Sequence, residues 1–213
     1  ELHSKVKVFE FSKSLLSLED IPAWNYDGSS TDQTTGENSE INLLPVAIYK
    51  NPLSKHNYPS FLILCETRDK DNNPLKTNNR YAAKKMFDKA PHEEPWYGLE
   101  QEFFILNDAI ANNLNDQIGN GQITQGQYYC SVGGKNTFLR HIIEKHMVAC
   151  VDAGLNISGT NAEVAPYQWE YQIGPSTGIE AGDQLWIARY LLEKIAEEEG
   201  YYIDMTPKPF KQI

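Results

Sequence analysis

One stretch constrains this chain more than any other: Trp96-Tyr97-Gly98-Leu99-Glu100-Gln101-Glu102-Phe103-Phe104-Ile105-Leu106. Aromatic and branched residues dominate it, no proline interrupts it, and Pro95 closes it upstream. That pattern predicts a buried strand. A strand repeats every two residues, so Glu100 and Glu102 leave from the same face. Burying two neighbouring carboxylates without a counter-charge is strongly unfavourable. A hard divalent cation such as Mg²⁺ or Mn²⁺, which prefers oxygen donors, would remove that penalty. The competing reading puts the strand at a sheet edge with both acids in water, where acids are usually found.

A second acidic constellation lies downstream. It runs Asn161-Ala162-Glu163, then Pro166, then Gln168-Trp169-Glu170-Tyr171-Gln172. Pro166 predicts a connection between two strands, which sets Glu163 and Glu170 on adjacent strands of one sheet. Trp169 and Tyr171 alternate with Glu170, predicting a buried aromatic face and an open acidic one. Gly174-Pro175-Ser176 closes the strand.

The rest of the chain reads as an α+β fold in two parts. Residues 1–75 are expected to be a small β-rich module, with strands at 6–11, 41–48 and 61–65. Residues 66–78 read as a charged linker at the domain boundary. Helices are expected at 79–89, 137–153 and 182–199 from apolar residues at three- and four-residue spacing. Their inner stripes are Tyr81, Ala82, Met86 and Phe87; Phe138, Ile142, Ile143, Met147 and Cys150; and Leu185, Ala188, Leu191, Leu192 and Ile195. Short strands are expected at 155–158 and 201–203. Residues 107–127, rich in Asn, Gly and Gln, read as a long loop, either functional or simply of low complexity. His141 and His146 are five apart and do not share a helix face as paired zinc ligands would; both read as surface or interface residues. Asp27, in Asp27-Gly28-Ser29-Ser30, has two readings: a side chain closing an Asx-type turn, or a carboxylate that the turn presents to a substrate.

Composition excludes several classes of function. A net charge of −10 over 213 residues argues against nucleic acid and anionic membrane as partners. No apolar run approaches the length of a membrane span, and no signal or transit peptide is visible. Cys65, Cys130 and Cys150 are odd in number and lack metal spacing, which points to a reducing compartment and to three buried small residues.

Taken in order, these pieces resemble the glutamine synthetases of eukaryotic type. The resemblance rests on Tyr26-Asp27-Gly28-Ser29-Ser30 with Asn38-Ser39-Glu40 and Leu43, on Trp96 to Glu102, and on Asn161-Ala162-Glu163-Val164 with Gln168-Trp169-Glu170. Ile173-Gly174-Pro175, and Gly182-Asp183 with Trp186, Ala188 and Arg189, continue it. It implies ATP-dependent ligation of ammonia to the side-chain carboxylate of glutamate through γ-glutamyl phosphate, with Mg²⁺ or Mn²⁺ as cofactor and ATP as co-substrate. Glu100 would help hold one ion beside glutamate, and Glu102, Glu163 and Glu170 a second beside the nucleotide phosphates. Trp96, Glu100, Glu170, Tyr171, Gln172, Ile173, Gly174 and Pro175 would border ATP. Asp27 would draw in ammonium and take a proton from it, serving a neighbouring subunit's site.

The family further implies a β-grasp-like N-terminal domain over 1–75 and a catalytic domain over 76–213 with a curved antiparallel sheet backed by helices. It implies a cytoplasmic or organellar homo-oligomer of stacked rings, a decamer by resemblance, with sites between subunits. Lys208-Pro209-Phe210 begins the signature that precedes the family's histidine ligand, and 107–127 lack its usual Pro-Gly-Pro-Gln-Gly pattern. The sequence is therefore expected to be a partial chain, incomplete at both ends and inactive alone. A homologue that keeps the fold and assembly without the chemistry is the alternative; retention of all four glutamates argues against it.

Overall fold

The computed structural model describes residues 2–10, 16–119, 123 and 126–210. Backbone contacts divide the chain into two compact units, Glu1–Asn51 with His56–Glu94, and Pro52–Lys55 with Pro95–Ile213.

In the first unit three strands, β1 (Trp24–Asp27), β2 (Glu40–Lys50) and β3 (Phe61–Arg68), form an antiparallel sheet in the order β1-β2-β3. Pro45 lies in the central strand, where it has no N–H for the ladder, and the register shifts between Pro45 and Ala47. Helix α1 (Asn79–Phe87) is capped by Asn78, whose Oδ1 accepts the Tyr81 N–H at 3.1 Å. Three expectations fail here. Among the described residues 2–10 there is no strand: Val6 and Val8 are exposed, and Lys5 and Lys7 donate to the carbonyls of Asn25 and Ala23. Residues 66–78 are not a loose linker. Strand β3 runs on to Arg68, and buried Glu66 pairs with Arg68 at 3.2 Å and Arg80 at 2.7 Å. On α1, Ala82 and Met86 face solvent; Tyr81 and Phe87 are the half-buried members of the expected stripe.

The second unit holds β4 (Trp96–Leu106), α2 (Asp108–Gly119), α3 (Arg140–Ala153), β5 (Ile157–Ala162), β6 (Gln168–Thr177), α4 (Ile179–Glu198) and β7 (Tyr202–Asp204). The strands form an antiparallel sheet in the order β5-β6-β4-β7. Helices α3 and α4 cover one face of it. Phe103, Ile105, Trp169, Tyr171 and Ile173 are buried there together with Ile142, Ile143, Leu191, Leu192 and Ile195. The α+β class with antiparallel sheets thus holds.

The segment read as a loop over 107–127 contains α2. Its apolar residues Ile110, Leu114 and Ile118 are four apart, and they pack with Phe104, Leu106, Ala165 and Phe210. Asn107 caps it, accepting the Ile110 N–H at 2.9 Å. Helix α3 starts at Arg140 because Leu139 is left-handed, so Phe138 lies outside it and stacks on Tyr167 with ring centres 4.4 Å apart. Cys130 is exposed and Cys65 half-buried; only Cys150 meets the expectation of burial.

His146 is fully buried, whereas His141 is exposed as expected. The His146 Nε2 lies 3.0 Å from the Ala188 carbonyl on α4 and 3.2 Å from the Cys150 sulfur, and its ring packs against Tyr171. Burial pushes its pKa down to about 4 from an ordinary 6.5. Between those values the unfolded chain binds a proton that the folded chain refuses. Stability is therefore flat in this respect above about 6.5 and falls as pH drops toward 4, by on the order of 3 kcal/mol in all. Urea midpoints measured from pH 7 to pH 4 are expected to fall accordingly, and His146→Leu, which cannot titrate, to flatten that slope.

Candidate active site

The site is built on the face of the second sheet opposite α3 and α4. In register, Glu102 pairs with Glu170 and Glu100 with Gln172 across β4 and β6, and Asn161 pairs with Glu170 across β5 and β6. Alternation puts Glu100, Glu102, Asn161, Gln168, Glu170 and Gln172 on this face. The β5–β6 connection adds Glu163, whose N–H donates to the Gln168 carbonyl at 2.9 Å.

The expected burial is redistributed. Glu100 and Glu102 are exposed, because the first half of β4 has no cover on this side, while Glu163 and Glu170 are 8% and 7% exposed. On the acidic face of β6 Glu170 is therefore buried, between half-buried Gln168 and Gln172. Glu163 and Glu170 approach closely enough to share a hydrogen bond. Burial first, then Glu170 and the charge of Glu102, raise the pKa of Glu163. Tyr129, which the sequence did not single out, has its phenol raised by Cys130 and by the charges of Glu163 and Glu170.

Neutral amides hold the three acids. Gln168 Nε2 donates to Glu102 Oε2 at 2.9 Å, Asn161 Nδ2 to Glu163 Oε1 at 3.0 Å, and Gln172 Nε2 to Glu170 Oε1. The Val164 N–H donates to Glu163 Oε2 at 3.1 Å. Glu102, Glu163 and Glu170 thus converge, and Glu100 stands on the same face opposite Gln172. Among the described residues no group of three His, Cys, Asp or Glu side chains is arranged so that it could hold a metal ion as it stands. The donor chemistry nevertheless suits a hard divalent cation: crowded carboxylate oxygens with no lysine or arginine pairing them among the described residues.

The expected nucleotide-bordering residues divide by face. Tyr171 and Ile173 are buried in the core under the helices, with the Tyr171 and Phe103 ring centres 5.8 Å apart. Pro175 is exposed, Trp96 is 71% exposed, and Glu170 and Gln172 lie on the acidic face. Asp27, in the first unit, takes the Asx-turn arrangement: its Oδ1 accepts the Ser29 N–H at 3.0 Å and the Ser29 hydroxyl at 2.7 Å. These hydrogen bonds hold its pKa below the usual carboxylate range.

Residues 76–213 match the family described as glutamine synthetase, catalytic domain. The chain belongs to the glutamine synthetase family. It is 50% identical over 213 residues to a glutamine synthetase homologue of Acanthamoeba polyphaga mimivirus, covering 99% of this chain and 59% of that protein. It is 46% identical over 202 residues to the chloroplastic glutamine synthetase of Zea mays, covering 94% and 47%. It is 48% identical over 191 residues to the cytosolic isozyme 1-1 of Oryza sativa subsp. japonica, covering 89% and 53%. The chain spans about half the length of the curated relatives it matches. No helix among the described residues is long and apolar enough to cross a membrane.

Gly174 has a local role that this family's Ile-Gly-Pro run makes testable. Its φ is +123°, and a Cβ there would lie 2.5 Å from the Tyr97 carbonyl oxygen, beside the register shift between Tyr97 and Leu99. Gly174→Ala is expected to destabilise the second unit by about 1–3 kcal/mol. A lowered urea midpoint would show it, whereas Gly182→Ala, inside α4 with open space around its Cβ, is expected to hold or slightly raise the midpoint.

Proposed function

We propose that the protein carrying this chain is a glutamate–ammonia ligase, forming glutamine at the expense of ATP. The observation that carries this reading is the meeting of Glu102, Glu163 and Glu170 on one sheet face. It occurs in a chain of the glutamine synthetase family.

The ligation begins with transfer of the γ-phosphoryl group of ATP to the side-chain carboxylate of glutamate; ammonia then displaces phosphate. The first step brings two anions together and the second, attack of neutral ammonia on the acyl phosphate, expels one, so positioning and charge neutralisation dominate. A divalent ion, Mg²⁺ or Mn²⁺, supplies that neutralisation when bound. In this reading Glu102, Glu163 and Glu170 would hold one ion, beside the nucleotide phosphates, and Glu100 would help hold another, beside glutamate. Glutamate side chains turn about several bonds, so closing the group around an ion needs rotamer changes on a backbone that already aligns them. The backbone of 170–175, with the side chains of Glu170 and Gln172, borders the nucleotide, and Trp96 lies at the open end of β4. Asp27, with its depressed pKa, stays anionic, attracts ammonium and takes the proton that ammonium loses before it attacks.

We read the first unit as part of a β-grasp-like module that brings Asp27 to a neighbouring subunit's site in a ring-shaped homo-oligomer. Glutamate, ammonia and ATP are its small-molecule partners. A net charge of −10 suits a cytoplasmic or organellar aqueous setting without nucleic-acid contact.

In the intact protein, Glu102→Gln is expected to lower ATP-dependent glutamine formation by about 100-fold or more while the size of the assembly is unchanged. Activity within a few-fold of wild type would remove Glu102 from the metal set. Adding Mn²⁺ or Mg²⁺ to metal-free protein is expected to raise its melting temperature through linkage. A flat melting temperature across the titration would count against the whole cluster.

A further inference from the structure

The amide side chains on the acidic face are connected. Gln172 Nε2 donates both to Glu170 Oε1 and to Asn161 Oδ1, the latter at 2.8 Å. Because Asn161 accepts there, its own amide nitrogen is the end that donates to Glu163 Oε1, at 3.0 Å. One glutamine therefore fixes one carboxylate directly and a second through the orientation of an asparagine. The four residues come from β5, β6 and their connection, so the chain of bonds spans the strand pair.

The backbone makes room for it. Gly159 lies opposite Gln172 in the β5–β6 register. A Cβ at Gly159 would lie 2.6 Å from Gln172 Oε1. Any larger residue there would push the amide from its seat. Gln172 carries no charge, so it directs the two acids without neutralising them. Glu170 is held by this amide through Oε1 alone, whereas Glu163 is held at both oxygens, Oε1 by Asn161 and Oε2 by the Val164 N–H at 3.1 Å.

We infer that Gln172, acting through Asn161 and seated by Gly159, is a positioning residue that sets the affinity of the Glu163–Glu170 pair for a divalent cation. This rests on the ligase reading only in taking those acids as cation ligands. Partners of ligating carboxylates typically alter metal affinity by about 10–100-fold when removed. The role differs from bordering the nucleotide, since it operates with no nucleotide present.

The test is a Mn²⁺ titration of the intact protein without nucleotide, following loss of the free-ion electron paramagnetic resonance signal. Gln172→Leu and Asn161→Leu are each expected to raise the Mn²⁺ Kd by about tenfold, with the metal-free melting temperature close to wild type. Gly159→Ala is expected to raise Kd in the same direction, and to add little further in the Gly159→Ala/Gln172→Leu double variant. An unchanged Kd in Gln172→Leu, or full additivity in the double variant, would overturn the inference. A wild-type protein that takes up no Mn²⁺ would overturn it together with the ligase reading. Uptake in wild type with no change in the variants would overturn the role of Gln172 alone.

Discussion

The pairing of β4 with β6 is the constraint on which the second unit depends. It sets Glu102 directly opposite Glu170 and, one step along the same face, Glu100 opposite Gln172. A slip of one residue would turn every side chain of β6 to the other face. Glu170 would then enter the helix-covered core, and Trp169 and Tyr171 the open side. The core prevents that slip: Phe103, Trp169, Tyr171 and Ile173 are all at most 2% exposed beneath α3 and α4. Packing on one face thus sets the chemistry of the other.

The packed face contains polar anchors of its own. Arg189 on α4 donates through Nε at 2.8 Å and Nη2 at 2.5 Å to Gln101 Oε1, between the two acids of β4 in sequence. Gln101 Nε2 donates in turn to the Glu102 carbonyl at 2.7 Å. On β6, the Trp169 indole N–H donates to the Phe138 carbonyl at 2.9 Å. These bonds hold the acid-bearing strands from behind, through groups that never reach the acidic face. Buried polar groups placed like this add direction to a core whose hydrophobic contacts are otherwise permissive.

Much of this was legible in the sequence. Period-two alternation in Trp96 to Leu106 and in Gln168 to Gln172 gave the two strands, and their shared acids gave the face. Helices α3 and α4 followed from their three- and four-residue spacing. What was missed has physical causes. Helix α2 hides among Asn residues of low helix propensity, yet Ile110, Leu114 and Ile118 were there at four-residue spacing. His146 reads as a surface or interface residue because it lacks zinc-ligand spacing with His141, but it lies on the same face of α3 as Ile142, Ile143 and Cys150, all buried. The burial of Glu163 and Glu170 is a tertiary outcome that no local pattern encodes.

The choice of donors on the acidic face carries the last step. Glu163, Glu170 and Glu102 repel one another, and burial adds to the strain on Glu163. A lysine or arginine would relieve that most simply, but it would also occupy the position of any incoming cation. The fold instead supplies Gln168, Asn161, Gln172 and the Val164 N–H. Neutral donors give the carboxylates direction while leaving their charge unspent. Charge left unbalanced in this way costs stability, and that cost is what the proposed cation would remove.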